Sequence, residues 1–413
     1  MTTTNSSRRN FLRSSIIAGS SAALLGFGSL DELIAAGNSG LRGLGDDRVL
    51  VVVQLSGGND GLSMVVPHGD DAYHKARRGT RHRAEDVLQL DKYIGLNPGM
   101  KSLRALYDGG ELAIVQGCSY PTPNRSHFKS MDIWQTGDLR GNAQPYGWLG
   151  RFADQGLGAA KTADANTLVG IGKKAERAII GQRVKPVAFT TPQSYRYVAN
   201  PAQFDTFDKL NEVESTTEES NLDFVRRVSK SAKSSSYSIR RATSGYQSKI
   251  DYGPGRGLGG DLRTAAAIIA ARLPTRVIYC TMGGYDSHVN QKGRHDNNMR
   301  QLNAALGAFQ KDLVRMGQAD RVVTMVFSEF GRRVAENGSG GTDHGVAGPM
   351  MLLGNHIKGG TYGKHPSLTN LDKGDLKMTT DFRSVYAALL EDWLSTKSAP
   401  LLGKTRKLRK LIS

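Results

Sequence analysis

Four runs of the sequence, RVLVVVQLS (48–56), ELAIVQGC (111–118), TRVIYCTM (275–282) and RVVTMVFS (321–328), are short, rich in β-branched residues and free of polar alternation. A strand with one face in water alternates apolar and polar side chains, so runs of this kind belong to strands buried on both faces. Such a sheet needs helices on either side of it, which restricts the chain to an α/β architecture. Helical patterns separate the runs. Between the last two, Leu302, Leu306, Phe309, Leu313 and Met316 recur at spacings of three and four, giving one apolar helix face and a crossover between parallel strands. A final helix is expected to begin at Thr380 as N-cap, with Val385, Leu389 and Trp393 on one core-facing stripe. The expected fold is therefore α/β: a mixed, mostly parallel central sheet with helices on both faces.

Residues 7–13 read SRRNFLR, and residues 14–30 form a moderately apolar stretch that ends near Ala35-Ala36. Paired arginines, a short apolar run and small residues make a twin-arginine export signal. Residues 1–36 are set apart on that ground, and the protein is expected in the periplasm or outside the cell, carried there by the twin-arginine translocase. Ser and Gly interrupt the run, which falls short of the ~20 apolar residues that cross a bilayer, and no later segment comes near that length. The mature chain, 37–413, is thus expected to have no transmembrane span and to be one large α/β domain. Around residues 200–260 a charged, Ser-rich helical stretch runs into the Gly-rich DYGPGRGLGG, which reads as an insertion on the core. Lys and Arg number 55 against 38 Asp and Glu, a formal net charge of +17. Outside the cytoplasm so basic a surface favours anionic glycans or lipid head groups as partners over nucleic acid, although a merely solvated surface is the plainer reading. Cys118 and Cys280 are open to pairing or to burial as free thiols, and neither has a metal-binding spacing.

The chemistry-bearing residues cluster just past the strand-like runs, where open α/β sheets bind their ligands. Asp286 and His288 in GGYDSH stand two apart, so in extended backbone both side chains leave one face and can share a metal ion. Glu329 ends the next run beside Arg332 and Arg333, where a salt bridge and a metal role are both open. Asp343 and His344 stand between glycines in GTDHG. Asp286, His288, Glu329, Asp343 and His344 are expected to converge on one metal-type pocket for divalent metal, with Zn, Mn and Ca as the choices. The turn Gly57-Gly58-Asn59-Asp60-Gly61 is equally a tight turn and an anion cradle. In YPTPNRSHF, Thr122 and Ser126 are candidate nucleophiles and Arg125 a candidate phosphate partner, with an N-cap role for Ser126 as the alternative.

The set SGGNDG, PNRSHFKSMDIWQTG, GGYDSH, FSEFGRR, GTDHG and TTDFRSVYAALLEDWL resembles the domain-of-unknown-function 1501 family of twin-arginine-exported bacterial proteins, over essentially the whole mature chain. That family is similar in turn to the alkaline phosphatase and sulfatase superfamily. The resemblance implies a metal site at the carboxyl ends of a central mixed sheet and hydrolysis of phosphate or sulfate esters. It implies that Asp286 and His288 match one metal-ligand segment and His344 a later metal-binding His, with Ser328-Glu329-Phe330-Gly331 standing where the superfamily has a strand-end Asp-His-Gly. Three positions depart from the superfamily. Ser56 stands where a metal-binding Asp is expected, leaving Asp60 as the nearest carboxylate and a weaker ligand candidate. Pro121 stands at the sulfatase nucleophile, against a formylglycine enzyme, and Phe330 replaces a ligand His. A one-metal or remodelled site is the implication. Two classes of function stay open. One is an exported metal-dependent hydrolase in which Thr122 or Ser126 attacks and Arg125 steadies the developing charge. The other is a catalytically degenerate binding or assembly protein for anionic glycans or lipids.

Overall fold

The computed structural model describes residues 47–156, 164–196, 198, 200–212 and 221–413; the expected export signal, residues 1–36, lies outside them. The four β-branched runs become β1 (Val49–Leu55), β2 (Leu112–Ser119), β5 (Val277–Met282) and β6 (Val322–Ser328). Shorter strands complete the sheet: β3 (Leu168–Ile171), β4 (Val187–Phe189), β7 (Gly348–Leu353), β8 (Gly360–Tyr362) and β9 (Thr380–Asp381). The spatial order is β8-β2-β7-β6-β1-β5-β3-β4, with β9 also paired to β2. Every pairing is parallel except those of β7 with β2 and β6. β7 follows β6 through an irregular loop without a crossover helix, and only an antiparallel return is open to such a connection. The result is a mixed, mostly parallel central sheet flanked by helices.

Period-two side-chain geometry divides β1 between two cores. Val51 and Val53 face one core with Leu103 of α1 (Lys101–Asp108), Leu262 and Ile268, and Leu302, Leu306, Phe309 and Leu313. Leu50 and Val52 face the other, with Trp134 of α2 (His127–Thr136), Phe152 of α3 (Trp148–Gly156), and Val385, Leu389 and Trp393. Between β4 and β5 come α4 (Pro201–Glu212), α5 (Asn221–Gly245) and α6 (Gly257–Ala270). The 25-residue α7 (Gln291–Arg315) then joins β5 to β6, the two strands that flank β1. Among the described residues no helix is long and apolar enough to cross a membrane.

Two local expectations change. The final helix, α8 (Phe382–Ala388), is capped by Asp381, whose carboxylate accepts from the Arg383 N–H at 3.0 Å. Thr380 is instead paired with Cys118 in β9 and so cannot act as the cap. Cys118 and Cys280 are both buried free thiols, on β2 and β5, with β7, β6 and β1 between them.

Candidate metal centre

Because β1, β2, β5 and β6 run the same way, the loops at their carboxyl ends meet at one edge of the sheet. Their closeness depends on glycine after β1. Gly57 and Gly58 take φ of +121° and +70°, and a Cβ on Gly57 would run into the backbone nitrogen of Asp286 while one on Gly58 would enter the Phe330 ring. The turn does cradle an anion, and it is the protein's own: the Gly57 N–H donates to Glu329 Oε1 at 2.9 Å.

Three imidazoles converge on Asp286, and each is tethered through Nδ1. His127 Nδ1 meets Glu329 Oε1 at 2.9 Å, His288 Nδ1 meets Asp343 Oδ1 at 3.3 Å, and His344 Nδ1 meets the Arg125 carbonyl at 2.9 Å. Such tethers place the proton on Nδ1 and turn the Nε2 lone pair inward. Inward, His288 Nε2 and His344 Nε2 lie 3.0 Å apart and 3.0 and 3.2 Å from Asp286 Oδ1. His127 Nε2 lies 3.5 Å from Asp286 Oδ2 and is buried without a hydrogen-bond partner. One ligand atom each from His127, Asp286 and His344 falls within 4.8 Å of the others. Two lone pairs facing at 3.0 Å repel unless a proton or a cation sits between them, and an orphaned buried nitrogen is costly. A divalent ion at this point answers both demands, so the residues fit a metal.

The charges around the group are arranged to keep its carboxylates ionised. Burial pushes Asp286 up, but the Arg332 guanidinium, through its hydrogen bond and its charge, holds it well below the ordinary carboxylate range. Arg332, fully buried, donates to Asp286 Oδ1 at 2.8 Å, to the carbonyls of Gly58 at 2.7 Å and Thr342 at 2.9 Å, and to the Gly57 carbonyl. It therefore stitches three of the loops together, and its remaining Nη1 N–H lies 3.4 Å from His288 Nε2. Glu329, 1% exposed, is pushed up by burial and lowered by His127, Gly57 and Ser328. His127 is raised in return, chiefly by that hydrogen bond, while burial lowers His344. The His/Asp group is partly open to solvent, and a cleft of about 1130 Å³ lies elsewhere among the described residues. The donor set rather than the volume of the hollow marks this as the chemical centre.

A family described as a protein of unknown function, DUF1501, matches residues 47–393. The chain belongs to the DUF1501 family. Curated proteins give no match. Similar solved structures include a protein of the alkaline phosphatase superfamily from Vibrio parahaemolyticus, at 11% identity over 89% of this chain and 71% of that one, TM-score 0.39. They also include a lipoteichoic acid synthase from Listeria monocytogenes, at 10% identity over 84% of this chain and 81% of that one, TM-score 0.37. A sulfatase from Pseudoalteromonas sp. is 10% identical over 91% of this chain and 76% of that one, TM-score 0.38.

Within this DUF1501 chain the candidate residues sort into three positions. Asp286, His288 and His344 face the common point, while Glu329 and Asp343 stand one layer behind as the Nδ1 partners of His127 and His288. Asp60 is not among them. It is buried in an ion pair with Arg77, which spans both its oxygens, and Ser63 Oγ donates to it at 2.7 Å. Its charge is already answered by Arg77, and at 1% exposure it sits in that pair rather than in the His/Asp group. Glu329 makes its ionic contact with His127 and not with Arg332 or Arg333; Arg332 goes to Asp286 and Arg333 lies 3.7 Å from Asp375. Of the proposed nucleophiles, Thr122 is exposed at φ +53° with its hydroxyl donating to the Pro121 carbonyl. Ser126 is the N-cap residue of α2, and its side chain makes no capping bond. The Arg125 guanidinium lies 3.4 Å from Asp375, and only its carbonyl touches the centre, through His344. His127 was missed. It opens α2 directly after Ser126, and its signal, as for His288 and His344, was an imidazole in the segment that follows a buried strand.

Proposed function

We propose that this protein is an exported, metal-dependent hydrolase of phosphate or sulfate esters, with its metal held by His127, Asp286, His288 and His344. The observation that carries the reading is the Nδ1 tethering of three imidazoles around one carboxylate. Imidazole nitrogens with a single carboxylate suit Zn or Mn, whereas Ca takes six to eight oxygens, so Ca drops from the expected set. A bound divalent ion of this kind polarises a phosphoryl or sulfuryl oxygen and lowers the pKa of water.

The chain's own residues do the rest. Glu329, Asp343 and the Arg125 carbonyl orient the rings, and Arg332 keeps Asp286 ionised. Ser126, one residue from His127 and free of a capping bond, is the better placed hydroxyl, since Thr122 already donates to its own loop. Export rests on the twin-arginine pattern in residues 7–13.

The test is metal analysis of the purified protein beside hydrolysis of p-nitrophenyl phosphate and p-nitrophenyl sulfate. His344→Ala is expected to lower metal content and hydrolysis together with unchanged circular dichroism. Full metal content in that variant, or ester hydrolysis that survives chelation, refutes the reading.

A further inference from the structure

A cleft of about 1130 Å³ among the described residues contains none of the His/Asp group and lies farther along the same sheet edge. Its floor is the carboxyl ends of β3 and β5 with Tyr279 and Thr281. The loops after β3 and β4 form one wall, and the end of α5 with the Gly-rich segment before α6 forms the other. The volume exceeds the ~300–1,000 Å³ of a drug-sized pocket, which points to a ligand of several units.

Its lining has three separate chemical signatures. Lys173, Lys174, Arg256 and Arg263 are exposed along it, and none of them meets a carboxylate partner among the described residues. The rings of Tyr246 and Tyr252 are fixed before any ligand arrives, because Asp312 Oδ2 accepts from both hydroxyls at 2.5 and 3.0 Å. Asp261 lines the cleft half-buried with no hydrogen-bond or ion-pair partner among the described residues, and burial pushes its carboxyl up to about 6. Unpaired cations call for negative charge on the ligand. The partly exposed Tyr246 ring calls for flat apolar surface, and the unpartnered Asp261 carboxyl calls for hydroxyl donors.

We propose that this cleft is a second binding site and that its ligand is an acidic oligosaccharide. It gives the anionic partner expected from the overall charge a definite location, and it does not depend on the chemistry of the His/Asp group.

The purified protein is titrated calorimetrically with a heparin-derived hexasaccharide and with neutral maltohexaose. The acidic sugar should bind at least about tenfold more tightly than the neutral one, and Arg256→Ala/Arg263→Ala should weaken it by about tenfold. Because the whole chain is basic, Lys404→Ala/Arg406→Ala removes the same charge from two exposed tail residues; that variant, and His344→Ala, should stay within about twofold of the parent. Equal binding of the two sugars, an unaffected Arg256/Arg263 variant, or an equal loss in the tail variant overturns the assignment. Equal competition by a single-stranded DNA hexanucleotide overturns the choice of a sugar, and loss in His344→Ala overturns the separation of the two sites.

Discussion

Glu329→Gln tests the tethering at a point where the fold should not change. Glu329 accepts from the Gly57 N–H and from His127 Nδ1 through Oε1, and from the Ser328 hydroxyl through Oε2, each at 2.9 Å. In the glutamine the amide oxygen takes the Oε1 role. The amide nitrogen then meets Ser328 Oγ, whose hydroxyl can turn to the Leu55 carbonyl 2.7 Å away. The second amide N–H has no acceptor at this 1% exposed position, so the structural cost should be roughly 1–3 kcal/mol. What goes is the negative charge behind His127. A partner of this kind contributes roughly 10- to 100-fold in metal affinity, about 1.4–2.7 kcal/mol. The assay strips the protein with a chelator and titrates Zn back against a chromophoric competitor, with urea unfolding run in parallel. The reasoning fails if Glu329→Gln binds Zn within about twofold of the parent, or if affinity falls only as far as stability does.

Three further outcomes are expected. Arg77→Met leaves Asp60 buried and unpaired and should cost roughly 3–5 kcal/mol in urea unfolding; adding Asp60→Asn should recover a large part, and no recovery would show that the ion pair is not the cause. Burial lowers His295 to about 4, so the fold keeps this ring neutral while the unfolded chain takes up a proton below about 6.5. Stability should therefore drop by roughly 3 kcal/mol as pH falls from about 6.5 to about 4, and His295→Gln, measured by urea midpoint at both ends, should flatten that slope. Arg8→Lys with Arg9→Lys should leave the precursor unprocessed in the cytoplasm, and processed protein in a periplasmic fraction would remove the twin-arginine assignment.

The long buried strands were legible because each is a continuous β-branched run, and α7 because its apolar face repeats over about four turns. β3 and β4 were not, being three or four residues long, and β7 begins Gly-Pro, which reads as a turn. At the site, Asp286, His288 and His344 stood out because nothing in a Gly-rich loop explains them as packing. Asp60 looked the same by sequence and differs only through Arg77, which a separate short helix and its following turn bring beside it. A contact made from 17 residues away leaves no local pattern. His127 was hidden for the opposite reason, since at the start of a helix a polar residue has a plain structural explanation.

The place of β1 in the sheet has a consequence for how the molecule comes to exist. Among the described strands it is the first synthesised and lies in the middle of the sheet, yet Val51 pairs with Ile278 and Thr324. At ~5–20 residues per second a ribosome needs roughly 10–45 s between making β1 and making the first of these neighbours. For that interval the segment VLVVVQL, buried along its whole length in the finished protein, has no native partner. A holding chaperone on the nascent chain is the natural cover for it, and slow folding follows from contacts so distant in sequence. The four loops that form the His/Asp group stay apart until β6 has docked, so the group cannot assemble on a partly made chain.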